Sequence, residues 1–440
     1  MVQRRYATSL KRYRPVVLAA MKEFLPPELF RDWRCSSRVW GVWKLVLAAV
    51  LWAWEGGGAV KERFTGVYLT LRQRWPKKQV GATYQGFIKA LLRWSPGLLE
   101  VVTGALRGVM QVTAGRHWRR QGWVAFAVDG SRLECPRTAA NEAALGCAGR
   151  TKSGPQLFLT TLYHMGLGLP WAFRLGPGTD SERTHLREML GLLPAAALLV
   201  ADAGFIGYEL LAALLGAGQH VLFRVGGNVR LLKELGYALV EGDDTVYLWP
   251  QEQQRHVASP VVLRLIVLGR GPRKMYLVTD LPAAALSQEQ AEVLYLLRWG
   301  VELFYRSLKQ TLEHRRLSSR APRQAWCEAS WSVVGLWLLG LMSVSEIVAR
   351  GRDPLGLSVA LALRQVRLAL RQGRRAVNGR WLLKKLGRAL KDSYRRTASK
   401  KARCWPHKKK ERPPGSPQIL IATEEQVRLA QKLRAATMAA

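Results

Sequence analysis

Acidic residues are scarce in this 440-residue chain: Asp and Glu number 31 against 68 Lys and Arg, a formal net charge of +37. A field of that sign favours nucleic acid or an anionic membrane surface as partner, and says nothing about which sequence is bound. Cysteine is scarce too. Cys35, Cys135, Cys147, Cys327 and Cys404 are scattered without a CxxC pair, so neither a disulfide framework nor a zinc site is indicated, and a reducing cytoplasm fits. Long apolar runs are missing. Residues 45–54 and 333–344 are the longest, shorter than the roughly 20 residues of a membrane span, and the N-terminal Met-Val-Gln-Arg-Arg-Tyr has no apolar core after it. Buried helices explain both runs, and no membrane partner is expected. With 48% hydrophobic content and 17 Trp, the chain can bury substantial cores and should hold more than one domain.

The chemistry-bearing pattern lies in Tyr295-Leu-Leu-Arg298-Trp-Gly-Val-Glu302-Leu-Phe-Tyr-Arg-Ser-Leu-Lys309. At about 100 degrees per residue of a single helix, Tyr295, Arg298, Glu302 and Lys309 share an arc of about 60 degrees. Leu294, Leu297, Val301, Phe304, Leu308 and Leu312 occupy the adjoining sector, so a polar edge emerges beside an apolar face. Ser287 and Gln290 have the form of a capping box at the helix start. The alternative is a surface helix whose charges pair at helical spacing.

Two more carboxylates bear on that choice. Residues 123–128 are a β-branched and aromatic run ending in Asp129-Gly, and residues 197–201 end likewise in Asp202-Ala-Gly-Phe, so each Asp is expected to terminate a buried strand. Either alone can also be a turn-former. Residues 156–163 and 171–175 read as a hairpin, 181–193 as a helix, 207–215 as a second helix and 220–225 as a strand. The order strand, strand, strand, helix, strand, helix, strand, with a later acidic helix, is that of an RNase H-like α/β domain. Asp280, ending Met-Tyr-Leu-Val-Thr-Asp, is a rival carboxylate by local context.

The element order, Asp129-Gly, Asp202-Ala-Gly-Phe and the spacing Tyr-x2-Arg-x3-Glu-x6-Lys closely resemble the DDE transposases of bacterial insertion sequences, in the IS-four branch with its Y-R-E-K signature. The resemblance spans about residues 119–320. It implies that Asp129, Asp202 and Glu302 are catalytic and bind Mg2+ or Mn2+, two ions being the expected number. It also implies that Tyr295, Arg298 and Lys309 contact the DNA backbone or terminal phosphate. Hard oxygen ligands suit those ions, and a pair of them serves in-line displacement at a phosphodiester. The resemblance further implies a mainly β insertion after the second Asp, matched by strand-like runs at 245–249, 261–268 and 275–279. Only that placement of the second Asp before the insertion makes Asp280 a turn residue. The expected fold is thus an RNase H-like catalytic domain interrupted by a mainly β insertion, with helical N- and C-terminal regions. Its divisions fall at 1–118, 119–225, 226–286, 287–350 and 351–440. The activity implied is metal-dependent cleavage at element ends and strand transfer into target DNA, by cut and paste through a hairpin. The partners implied are double-stranded DNA bearing terminal inverted repeats, target DNA and a second copy in the DNA complex, in the bacterial cytoplasm at the nucleoid. A domesticated DNA-binding derivative and a nuclease without joining activity are the competing readings.

Two basic regions complete the expectation. Residues 68–75 and 83–93 read as two helices around Pro-Lys-Lys-Gln-Val-Gly, with Thr83 as N-cap; as a helix-turn-helix they present Lys77, Lys78, Gln85, Lys89 and Arg93 to DNA, and otherwise form an ordinary helical pair. From Arg371 to Lys410 the charge is dense. Lys384, Lys385 and Arg388 are its candidate phosphate contacts, with Trp381, Tyr394 and Trp405 interleaved, the alternative being a solvated tail over 397–417.

Overall fold

The computed structural model of the chain describes residues 14–33, 39–75, 79–146, 154–226, 236–238, 244–249, 259–270, 274–392 and 422–439. In chain order these form β1 (Arg14–Pro15), α1 (Val16–Phe24), α2 (Val42–Trp54), α3 (Val60–Arg72), α4 (Tyr84–Ala114), β2 (Ala125–Glu134) and α5 (Ala139–Leu145). The hairpin β3 (Gln156–His164) and β4 (Leu169–Pro177) leads to α6 (Glu182–Met189), β5 (Leu198–Ala201), α7 (Tyr208–Gly216) and β6 (His220–Val225). Then come β7 (Gly236–Ala238), β8 (Thr245–Leu248), β9 (Val261–Leu268) and β10 (Met275–Thr279). Last are α8 (Gln288–Leu297), α9 (Trp299–Arg306), α10 (Pro322–Ala349), α11 (Val359–Arg371), β11 (Arg375–Ala376), α12 (Arg380–Leu386) and α13 (Glu424–Ala439).

They fall into two compact units. The first comprises Met1–Arg119, Asp129–His185 and Gly300–Lys391; the second comprises Arg120–Val128, Leu186–Trp299 and Asp392–Ala440.

The first unit is built around α10. This helix is long and apolar enough to cross a membrane by length and composition, yet Ala329 to Val344 are buried within the protein against α2 and α4. The neighbours are apolar for the same reason: 11 of the 13 residues of α2 are buried. The indoles find internal acceptors, Trp54 Nε1 donating to Gly335 O at 2.8 Å and Trp331 Nε1 to Ser95 Oγ at 2.8 Å. Gly335 is where α2 and α10 touch, since a Cβ there would meet the Ala53 Cβ at 2.8 Å. Helix α4 starts as expected, with Thr83 Oγ1 accepting from the Gly86 amide at 3.2 Å. It then runs on for 31 residues, packing Phe87, Ile88, Leu91, Leu98 and Val102 inward. The part of the C-terminal region up to Lys391 also belongs here, and its α12 buries Leu382, Leu383 and Leu386 and packs on α1 and α10.

In the second unit the strand order is β2-β5-β6-β10-β9-β8-β7. Strands β2, β5 and β6 are parallel, with Ala127 opposite Val200 and Val200 opposite Leu222, and Leu198–Ala201 is fully buried as befits a central parallel strand. From β6 onward every pair is antiparallel. The strand-like runs read as an insertion therefore form β8, β9 and β10 and extend this same sheet. Asp280 is structural: its carboxylate accepts from His220 Nδ1 at 2.6 Å and from the Val221 amide at 2.8 Å, fastening the start of β6. Helix α13 lays Ala430 and Val427 against Tyr247, Trp249 and Val262.

Two expectations are corrected. Asp129 does not end its strand, because β2 continues to Glu134 and the buried run simply gives way to half-buried residues from Asp129 onward. Asp-Gly reads as a turn in sequence, but Leu133 draws the extended chain back into the core. Nor do Tyr295 to Lys309 form one regular helix. Arg298 intervenes between α8 and α9 while keeping helical dihedrals, and Ser307–Thr311 is a π-helical turn, closed by the Leu312 amide on Ser307 O at 2.9 Å. The wider turn carries Lys309, so its direction departs from the 100-degree progression.

Candidate active site

Asp129 and Glu302 belong to the first unit and Asp202 to the second. In the first, Asp129 is tied to the glutamate's helix by Tyr305 of α9, whose buried hydroxyl donates to Asp129 O at 2.6 Å. Burial, then the Asp129 charge, pushes the Tyr305 pKa well up, so the phenol stays protonated and keeps donating. Lys309 is half-buried. Its pKa is lowered, first by burial and then by Arg315, while Glu134 and Asp129 oppose the shift. Gly130 makes room beside Asp129: a Cβ there would lie 2.5 Å from Phe158 Cζ and 2.7 Å from the Glu182 Oε2. Glu302 is half-buried in the first turn of α9.

In the second unit Asp202 directly follows β5 and caps a short 3-10 turn, Oδ1 accepting from the Gly204 amide at 2.9 Å. Tyr295 and Arg298 are buried. Burial raises the Tyr295 pKa first, the Arg298 and Arg224 guanidiniums oppose the rise, and the Asp202 charge adds to it. Arg298 lies over two rings, 5.5 Å from the Tyr295 centroid and 5.6 Å from that of Trp299. The capping box is formed, Ser287 N donating to Gln290 Oε1 at 2.8 Å and Gln290 N to Ser287 Oγ at 3.3 Å.

Three residues in these surroundings were not singled out from sequence: Arg224, Tyr305 and Glu182. Arg224 had a signal, a lone charge in the apolar strand His-Val-Leu-Phe-Arg-Val. The remaining expected DNA contacts lie elsewhere. Lys89 and Arg93 are exposed on α4, and Lys384, Lys385 and Arg388 are exposed at α12, while Lys77 and Lys78 lie outside the described residues. Among the described residues no group of three or more His, Cys, Asp or Glu side chains stands ready to hold a metal ion. The donor set of Asp129, Asp202 and Glu302 is nonetheless all carboxylate oxygen, the type that hard divalent cations take.

Asp129 lies on β2, Asp202 directly follows β5 and Glu302 lies on α9, with Arg298 just before that helix and Lys309 on the π turn after it, and side chains of these types are what enzymes acting on phosphodiesters use. The comparisons make the class specific. Residues 121–338 match the family model of the transposase DDE domain. The chain is 25% identical over 334 residues to the transposase InsG for insertion sequence element IS4 of Escherichia coli, covering 72% of this chain and 74% of that one. Among solved structures, a piggyBac transposase synaptic complex with hairpin DNA aligns over 87% of this chain and 84% of its own, at 12% identity and a loose TM-score of 0.39. The chain belongs to the IS4-type DDE transposases of bacteria. It is a DNA transposase, an enzyme of phosphodiester hydrolysis and transesterification.

Proposed function

We propose that Asp129, Asp202 and Glu302 are the catalytic triad, on an RNase H-like core divided along the chain as the sequence suggests, and that the Y-R-E-K residues hold the end of the DNA strand being transferred. One observation carries the reading. Two of the signature residues have a triad aspartate among the charges that act on them, Lys309 with Asp129 and Tyr295 with Asp202.

The three carboxylates would hold Mg2+ or Mn2+, two ions in our reading, and such ions when bound activate an attacking oxygen and stabilise a leaving one. What this chain supplies besides is positioning. Arg298, fixed over Tyr295 and Trp299, offers a planar fork that can grip a phosphate through two N–H groups. Lys309 supplies a point charge close to Asp129. Tyr305 locks the Asp129 backbone to α9, and therefore to Glu302, so that the carboxylates need little reorganisation when substrate arrives. The sequence of events is cut and paste. Water opens the phosphodiester at the element's end, the freed 3′-OH attacks the opposite strand to make a hairpin, and the resolved end attacks target DNA. The DNA partners are the element's terminal inverted repeats and the target, bound by two copies of the chain in the cytoplasm of a bacterium, at the nucleoid.

The test is purified Asp129→Ala, Asp202→Ala and Glu302→Ala on end-labelled element DNA in Mg2+. Each should abolish cleavage and leave binding largely intact, and cleavage at near wild-type rate by any of them would sink the assignment. Imperfect inverted repeats bounded by short direct repeats around the coding region would favour a mobile element over a domesticated derivative.

A further inference from the structure

Arginines from distant parts of the sequence meet on the first unit. Strands β1 and β11 pair antiparallel, Arg14 opposite Ala376 and Pro15 opposite Arg375, and the Val16 amide donates to Arg374 O at 2.9 Å. The turn before β11 approaches the end of α3, where a Cβ on Gly373 would lie 3.7 Å from Gln73 Nε2. Arg14, Arg74 and Arg375 are thereby gathered. Burial lowers the Arg74 pKa first, and the two charges that act on this guanidinium, Arg14 and Arg375, are both of like sign and lower it further. Arg74, Arg374 and Arg375 are exposed.

Aromatic rings steady the flanks of the cluster. Arg74 Cζ lies 5.6 Å and Lys44 Nζ 6.0 Å from the Trp75 ring, while Arg374 Cζ lies 3.9 Å and Lys385 Nζ 5.9 Å from the Trp381 ring. Folding that draws like charges together works against stability, and an exposed group of them marks a surface made for an anion. A small anion needs one or two cations. Six cations on five chain segments, four of them lying over two rings, suit a ligand whose negative charges repeat along its length.

We propose that Arg14, Arg74, Arg374 and Arg375, with Lys44 and Lys385, form a contact surface for the phosphate backbone of duplex DNA, additional to the Y-R-E-K residues and to the Lys89 and Arg93 face of α4. The surface reads no bases. It holds the duplex while the catalytic residues engage one strand, and it depends on the transposase reading only for the choice of DNA as the polyanion.

The experiment measures affinity of the full-length protein for a short duplex of random sequence by fluorescence anisotropy over a range of salt. The double variant Arg74→Ala/Arg375→Ala should flatten the slope of log affinity against log salt by about 1.8, at roughly 0.9 for each lost phosphate contact. Its Tm should stay close to that of wild type, because relief of the repulsion at Arg74 offsets loss of its contact with the Trp75 ring, and the Arg74→Lys/Arg375→Lys variant should restore the slope. Arg187→Ala, which removes an exposed arginine already paired with Glu209 at 3.4 Å, should leave the slope as in wild type. A wild-type slope in the double alanine variant overturns the proposal, as does a loss of slope accompanied by a fall in Tm, which would make these residues structural. Wild-type protein that bound no duplex at all would fail the transposase reading along with this one, whereas an unchanged slope in the variant fails this one alone.

Discussion

Removing the Glu328 carboxylate should destabilise the first unit more than any other single truncation of a charge. Glu328 of α10 pairs with Arg63 of α3, and the two side chains are only 1% and 4% exposed. The same carboxylate accepts from the Ser318 amide at 3.1 Å, the Ser319 amide at 2.9 Å and Ser319 Oγ at 2.7 Å. Arg63 also reaches His314 Nε2 at 2.9 Å and lies 4.9 Å from the Trp52 ring centroid. Glu328→Ala thus leaves one buried guanidinium without its counter-charge and two amides without their acceptor. Breaking a buried ion pair from one side costs about 3–5 kcal/mol, and each orphaned amide costs about 1–3 kcal/mol when water is kept out. Water is not kept out entirely. A polar cavity of about 130 Å3, lined by Arg63, His314, Ser318 and Glu328 among others, adjoins the network and has room for it. We therefore expect about 3–4 kcal/mol in all, from the lower part of the pair cost with small additions. Urea unfolding followed by tryptophan fluorescence, analysed for more than one transition because the chain has two compact units, would measure it. The companion variant Arg63→Met/Glu328→Leu should recover part of the loss, since replacing both partners removes the stranded charge but not the orphaned amides. A loss under about 1 kcal/mol for Glu328→Ala, or a double variant no better than the single one, would refute the reasoning.

The same network makes a prediction for acid. His314 is held down to about 3 from 6.5 by burial first and then by Arg63, so below about 6.5 the unfolded chain takes up a proton that the folded one refuses. Stability should be fully present above that pH and fall progressively towards pH 3, by a few kcal/mol at about 1.4 kcal/mol for each pKa unit; a pH series of Tm values should show the slope, and His314→Gln should flatten it. Lys309 loses its charge at lower pH than an ordinary lysine because burial disfavours the ammonium, so strand transfer should decline on the alkaline side earlier than that of Lys309→Arg, as gel assays of end-labelled DNA would read. An alkaline limb unmoved by the arginine replacement would remove Lys309 from the positioning role.

Much of this protein is written locally. The short apolar, β-branched and aromatic runs at 156–163, 198–201 and 261–268 favour strands locally, and Ser287 with Gln290 and Thr83 with Gly86 build helix starts from side chain to nearest amide. The Y-R-E-K spacing and the two Asp contexts are legible in the sequence, and the roles proposed for these residues rest on that pattern. The tertiary structure decided what depends on partners distant in sequence. Asp129-Gly continues as strand only because Leu133 finds a core, and Lys309 sits on a π turn whose following loop is fastened through Ser318 and Ser319 to Glu328. Arg224, Tyr305 and Glu182 enter the surroundings of the aspartates through packing, which no spacing rule announces. The Arg14, Arg74 and Arg375 cluster is the clearest case. Charge composition foretold a polyanion partner, but long-range repulsion and attraction depend on distance in space, and only the pairing of β1 with β11 brings those arginines together.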